Sequence, residues 1–202
     1  MNSKKTATFL LATGQSLRTG GPNKLLLPFQ NKSLVRRTAE TILESKTGPL
    51  IVVLGHEARK VHEELQDLDV EFVLNTDYKK GILTSLQSGL RSFHGNVDGF
   101  MVVLGDQIFL RPQSLNILRR HFIAADPGPS LIAPLYNGER GHPFLISSHF
   151  IPEILEQTEQ LEKGARFLFR RHPYHVHLVD MPPQFLNNDV GTPEDYELMR
   201  QG

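Results

Sequence analysis

Apolar positions along the chain follow two alternating rhythms. Short continuous apolar runs occur at Thr6–Ala12, Leu50–Leu54, Val70–Leu74, Phe100–Leu104, Leu131–Leu135 and His175–Val179. Runs of this length bounded by turn residues predict buried strands. Gly99–Leu104 contains the most apolar of them and predicts a central strand covered on both faces. Between the runs, apolar residues recur at helical spacing: Leu34, Val35, Thr38, Ile42 and Leu43, then Glu57–Leu65, then Ile82, Leu86, Leu90 and Phe93, then Leu115, Leu118 and Phe122. Ser33 suits the first of these helices as its N-cap, Gly48-Pro49 closes it, and Pro112 can open the helix that carries Leu115. Further on, Asn137–Gly141 reads as a polar turn, and Ile151–Leu161 and Gly164–Arg171 read as helices. Asn188 to Asp195 leads into a terminal helix, with Thr192 as N-cap and Pro193 at its first position.

Strands alternating with helices predict an α/β fold with a mostly parallel sheet and right-handed crossovers. Ligands of such sheets bind beyond the carboxyl ends of the strands. Three polar loops directly follow predicted strands: the glycine-rich stretch after Ala12, Asn75-Thr76-Asp77, and Gly105-Asp106-Gln107. They are expected to converge on one edge.

Size and composition narrow the function. A chain of 202 residues without internal repeats or linker-like tracts predicts a single domain over 1–202. Lys and Arg together number 22, as do Asp and Glu, so nothing draws the whole molecule to nucleic acid or to an anionic membrane. A polyanion site must therefore be local. The absence of cysteine excludes disulfides, thiolate metal sites and cysteine nucleophiles. The apolar run after Lys4-Lys5 is too short for a signal peptide, and no run is long enough to span a membrane. A cytoplasmic protein is expected.

The loop after the first strand carries the candidate chemistry. It reads Gly14-Gln15-Ser16-Leu17-Arg18-Thr19-Gly20-Gly21-Pro22-Asn23-Lys24. Glycines let a ligand approach the main chain, and successive backbone N–H groups can converge on an anion. Arg18 can grip phosphate oxygens as a fork, and Lys24 adds a compact charge. A polyphosphate suits such a loop. Neither the P-loop spacing nor the dinucleotide fingerprint fits it. Asp106, directly after the most buried strand, needs a cation nearby. With a polyphosphate in the loop, that cation is naturally a magnesium ion. Asp189 is a candidate second ligand, although capping of the last helix accounts for it equally well.

The pattern G-x-S-x-R-x-G-x-x-x-K running into Leu25-Leu26-Leu27-Pro28 resembles the signature of the MobA-like nucleotidyltransferases. Thr19 replaces a usual Met, and one extra residue precedes Lys24. Gly105-Asp106-Gln107-Ile108 resembles the family's G-D-x-P, without the proline. Asp189-Val190-Gly191-Thr192-Pro193-Glu194-Asp195 resembles the D-x-D-T-P-E-D of the molybdenum cofactor cytidylyltransferases, with glycine for the second acid. That branch also tends to show G-H-P, here Gly141-His142-Pro143.

The resemblance implies a Rossmann-like three-layer sandwich of the nucleotide-diphospho-sugar transferase type. It implies that CMP passes from CTP to a phosphorylated acceptor, best a molybdopterin, with Mg2+ as cofactor. Arg18, Lys24 and Asp106 would be catalytic, and Asp106 and Asp189 would hold the metal. Nucleotide contacts would come from Leu11, Ala12, Thr13, Gly14, Asn75, Ser85 and Gly105. Gln107 and His142 would meet the acceptor, and Gln87 lies where base and ribose contacts occur. Thr13 fills space that the guanylyl branch leaves to a purine, which predicts a pyrimidine. Two alternatives stay open: a sugar, polyol or small-acid phosphate as acceptor, and a nucleotide-binding protein without turnover.

Overall fold

The computed structural model describes residues 4–14, 23–125 and 128–182. In chain order these form β1 (Thr6–Ala12), a ribbon of β2 (Pro28–Phe29) and β3 (Lys32–Ser33), α1 (Leu34–Ser45), β4 (Leu50–Leu54), α2 (Ala58–Leu65), β5 (Glu71–Leu74), α3 (Ile82–Ser92) and β6 (Gly99–Leu104). There follow α4 (Pro112–Ala124), β7 (Leu131–Tyr136), β8 (Glu139–Arg140), β9 (Phe144–Ser147), α5 (Ile151–Glu156), α6 (Arg166–Arg171) and β10 (Val176–Asp180). The main sheet runs β10-β7-β9-β6-β1-β4-β5, with β8 paired to β7. β1 is parallel to β4 and β6, β4 to β5, and β7 to β10, whereas β9 is antiparallel to both β6 and β7. No helix among the described residues is long and apolar enough to cross a membrane.

Alternation along β1 explains the layering. Its side chains point in turn to opposite faces. Leu10 and Ala12 join Val35, Ile42, Val61, Leu115 and Phe122 in a core beneath α1, α2 and α4. Phe9 and Leu11 join Leu83, Leu86, Ile154 and Leu168 in a second core beneath α3, α5 and α6. All seven β1 residues are buried, as the apolar run requires. Phe9 packs edge-to-face on Phe93 and Phe100, with ring centroids 5.7 Å apart in each pair.

Two expected helices are shorter than their patterns. The helix expected over Ile151–Leu161 stops at Glu156. Gln87 Nε2 donates to the carbonyls of Ile154 and Gln157, both at 2.8 Å, and Gln160 takes a φ of 50°. The helix expected from Gly164 starts at Arg166, because Gly164 has φ 59° and ψ −147°, outside the helical region. The expected turn at Asn137–Gly141 is instead a hairpin. Asn137 and Gly138 have φ of 49° and 84°, the signature of a tight two-residue turn, and Tyr136 pairs with Glu139.

Candidate functional site

The parallel strands β1, β4, β5 and β6 all end at one edge, and the described residues of the expected loops, Thr13-Gly14, Asn23-Lys24, Asn75 and Gly105-Asp106, gather there. Gly105 N–H donates to the Leu11 carbonyl at 3.2 Å, and Asn75 N–H donates to the Leu54 carbonyl at 2.8 Å. The antiparallel strand β9 begins at that same edge. Its register pairs Phe144 with Val102, and continuing it brings His142 level with Leu104.

Lys24 and Asp106, far apart in sequence, meet there. Lys24 Nζ donates to the Asp106 carboxylate, and both side chains are only 14% exposed. Lys24 opens a 3₁₀ turn, Lys24–Leu26, whose N-cap is Asn23. Asn23 is buried, and its Oδ1 accepts from Leu25 N–H at 3.1 Å. The sequence reading passed over Asn23, although an Asn at the start of a turn is a capping signal. On the other side, Gly105 presents its carbonyl to Thr38 Oγ1 at 3.2 Å, and a Cβ on it would lie 3.1 Å from Leu25. The loop bearing Asp106 is thus pressed against the turn bearing Lys24.

A buried polar chain runs along the neighbouring strand ends. Thr13 Oγ1 and Ser85 Oγ are 2.9 Å apart, and Asn75 Nδ2 donates to Thr84 Oγ1 at 3.0 Å and to Ser85 Oγ at 3.1 Å. Asn75 Oδ1 accepts from Ser88 Oγ and from Asp77 N–H. Thr13 also abuts Gly55, where a Cβ would come within 2.8 Å of the threonine Cβ. Its side chain is wedged between β4 and α3. Gly14 differs: it is exposed, and a Cβ there would meet nothing within 4 Å among the described residues.

A cleft of about 290 Å³ lies beside this edge. Leu11, Val102, Leu104 and Phe144 line it with apolar surface, and His142, Glu162, Lys163 and Arg166 supply polar groups. His142 stacks on Phe144 with ring centroids 4.1 Å apart. Burial, joined by the charges of Arg166 and Arg140 against the opposing pull of Asp106, holds the His142 pKa down to about 4. The imidazole is therefore neutral at ordinary pH. Arg140, at the end of β8 opposite Leu135, lies over the Phe169 ring.

The expected residues separate as follows. Leu11, Ala12, Thr13, Gly14, Lys24, Asn75, Ser85, Gly105, Asp106 and His142 gather at or beneath the edge, Ala12 with its side chain in the α1 core. Gln107 Oε1 accepts from Leu104 N–H at 3.1 Å, bracing the loop from inside, while its buried Nε2 has no partner among the described residues. Gln87 is a correction: it faces α5, and its amide is spent on the carbonyls that end that helix. Arg18 and Asp189 lie outside the described residues. Arg166, which lines the cleft, was not singled out in the sequence, because nothing in the run Gly164-Ala165-Arg166 marks its place in the fold.

Known proteins bear out the likeness. The MobA-like NTP transferase domain matches residues 8–176. "Nicotine blue oxidoreductase" of Paenarthrobacter nicotinovorans is 31% identical over 94% of each chain. "Molybdenum cofactor cytidylyltransferase" of Escherichia coli (strain K12) is 23% identical over 93% of this chain and 91% of its own. Among solved structures, a nucleotidyl transferase from Methanothermobacter thermautotroptrophicus superposes with a TM-score of 0.81 at 24% identity, covering 98% of this chain and 96% of that one, which shows a shared fold. With Lys24 and Asp106 meeting at the strand ends and that domain matching most of its length, the chain belongs to the MobA-like NTP transferase family.

Proposed function

We propose that this protein transfers CMP from CTP to a phosphorylated small molecule, molybdopterin being the best candidate, and releases pyrophosphate. Nucleotidyl transfer is the activity that family membership supports. The observation that carries the reading is the Lys24–Asp106 pair, largely buried at the strand ends that also carry the exposed Gly14. An oxygen of the acceptor phosphate attacks the α-phosphorus of the triphosphate. The new P–O bond forms as the bond to the departing pyrophosphate breaks. The attacking phosphate is already an anion, so the protein's work is positioning and charge neutralisation.

Lys24 is held by Asp106 at the edge and has a flexible stem with which to follow incoming phosphates. Arg18 is proposed as their second cation. The Thr13–Ser85–Asn75 chain supports the backbone against which the base would lie, the Thr13 side chain itself facing inward onto Ser85 and Gly55. Among the described residues no group of three or more His, Cys, Asp or Glu side chains could hold a metal. A single carboxylate with water and phosphate oxygens is nevertheless what magnesium prefers, so Asp106 fits, with Asp189 as the proposed second ligand. When bound, magnesium would neutralise charge on the phosphates. His142 is proposed to meet the acceptor as a neutral imidazole.

The test is pyrophosphate release from CTP, GTP, ATP and UTP against a panel of phosphorylated acceptors, together with thermal stabilisation by CTP and GTP in magnesium. Release dependent on CTP and on one acceptor is expected. Stabilisation by GTP equal to that by CTP would overturn the pyrimidine assignment. A second reading, reduction of a heteroaromatic compound, draws on the name of the 31% identical relative and on the apolar cleft beside a neutral His142. Oxidation of a reduced nicotinamide nucleotide by a heteroaromatic dye, with no pyrophosphate released under any condition, would favour it.

A further inference from the structure

The amino ends of the parallel strands lie one strand length, roughly 20 Å, from the candidate site. There a second cavity opens, of about 560 Å³. Its walls come from parts of the chain far apart in sequence: Lys5 and Thr6 at the start of β1, the turn 46–49 before β4, Glu71 at the start of β5, the connection 92–97 before β6, and Arg119 of α4. Three cations, Lys5, Lys46 and Arg119, line it against one carboxylate, Glu71, and none of the four is in an ion pair among the described residues. The nearby Asp98 lies outside the lining and accepts from the Lys5 backbone N–H at 2.7 Å. On a chain of zero net charge this is a local positive field, of the kind that draws a small anion.

A buried array of hydroxyls fixes these cations. Thr6 and Thr47 are buried, and Thr6 Oγ1 donates to the Thr47 carbonyl. Thr47 Oγ1 lies 3.0 Å from Ser45 Oγ and 3.3 Å from Thr8 Oγ1. Having given its hydrogen to Thr47, Thr6 Oγ1 accepts from Arg119 Nε at 3.3 Å. Three arginines among the described residues are half-buried: Arg36, Arg37 and Arg119. Arg36 is engaged by Asp67 and Glu40, and Arg37 by Gln30 and the Phe29 ring. Arg119 is held through Nε alone, and its two Nη groups have no partner among the described residues. A guanidinium gripped in this way keeps the end of its fork for an anion. Lys46 closes α1 with φ 54° and ψ 37°, a conformation that glycine takes more readily. Two residues on, a Cβ at Gly48 would lie 1.8 Å from the Thr6 carbonyl oxygen, so the turn bearing this lysine is pinned to β1.

We propose that this cavity binds a compact polyanion, of the size and charge of a tricarboxylate or a small bisphosphate, gripped end-on by Arg119 and flanked by Lys5 and Lys46. The site is separate from the strand ends that carry Lys24 and Asp106, and it does not depend on the transfer reading.

Citrate and 2,3-bisphosphoglycerate are the probes, and acetate is the control of single charge. Binding to the full chain is measured by calorimetry at low salt without magnesium, and Tm is recorded for each variant. The wild type should bind at least one polyanion roughly tenfold or more tightly than acetate, and the preference between the two names the ligand as carboxylate or phosphate. Arg119→Ala should lose roughly tenfold or more in that affinity. Lys46→Gly should lose roughly three- to tenfold without a lower Tm, because glycine suits that backbone, so its loss cannot be laid to unfolding. Lys24→Ala, at the strand ends, should bind the polyanion as the wild type does. Unchanged affinity in Arg119→Ala and Lys46→Gly overturns the proposal, and with a lowered Tm in Arg119→Ala it leaves that arginine only the bracing of Thr6. A loss in Lys24→Ala as large as theirs places the anion at the strand ends and overturns it as well. So does a wild type that binds neither polyanion better than acetate.

Discussion

The two halves of the sheet, divided at β6, are built differently. On one side β1, β4 and β5 run parallel, and their carboxyl ends carry Thr13, Gly55 and Asn75 in a buried, mutually bonded array. On the other side β9 runs against its neighbours and β7 continues into a hairpin with β8. There the polar groups Glu162, Lys163 and Arg166 are exposed around an apolar cleft. The first half resembles a fixed socket, in which exchanging one group disturbs several partners. The second presents side chains that can change without unsettling a hydrogen-bond network. A shared nucleotide and a variable second substrate would call for this division.

Asp106, at the boundary, should matter to both halves. Asp106→Asn is expected to lower the rate of pyrophosphate release by roughly 10²–10⁴ while the fold persists. Near-full activity would move the centre elsewhere. Gly81→Ala attacks the joint between the halves. A side chain at φ 135° facing the Leu161 backbone should cost about 2–4 kcal/mol and lower Tm by roughly 5–15 °C, read by calorimetry. Lys24→Ala should act on the nucleotide side alone. Triphosphate affinity is expected to fall roughly ten- to a hundredfold while the fold persists.

Two smaller effects sharpen the contrast. Burial lowers the folded-state pKa of His142 to about 4, below its ordinary 6.5. The unfolded chain therefore binds more protons between these values, and stability rises with pH across that window. His142→Phe should flatten this part of a denaturation–pH profile. In the other half, Thr13→Val removes the bond to Ser85 but leaves Ser85 its contact with Asn75. A loss of about 1 kcal/mol in denaturant unfolding is expected.

The same division governs what the chain made legible. β1, β4 and β6 have the bounds that their apolar runs predict, because strands buried on both faces write an unbroken local signal. Lys24, Asp106 and the Thr13 loop could be expected together because each follows or adjoins such a strand. The far half depends on events distant in sequence. Gln87 ends α5 from across the core, and the register of β9 carries His142 to the edge. Neither leaves a trace in local periodicity. The hairpin at Asn137-Gly138 was readable, since that dipeptide favours the positive φ values found there.

The close approach of Gly81 to Leu161 has a consequence for how such a protein can diversify. Position 81 cannot take a side chain without moving the wall of the cleft, and position 164 is held against Ile82. Glu162, Lys163 and Arg166, between and just beyond these anchors, all face solvent. Mutation can rewrite the chemistry of the cleft at those three positions while the nucleotide side stays where it is. A descendant of this chain could acquire a new second substrate through exposed substitutions alone, none of which would have to pass through a destabilised intermediate.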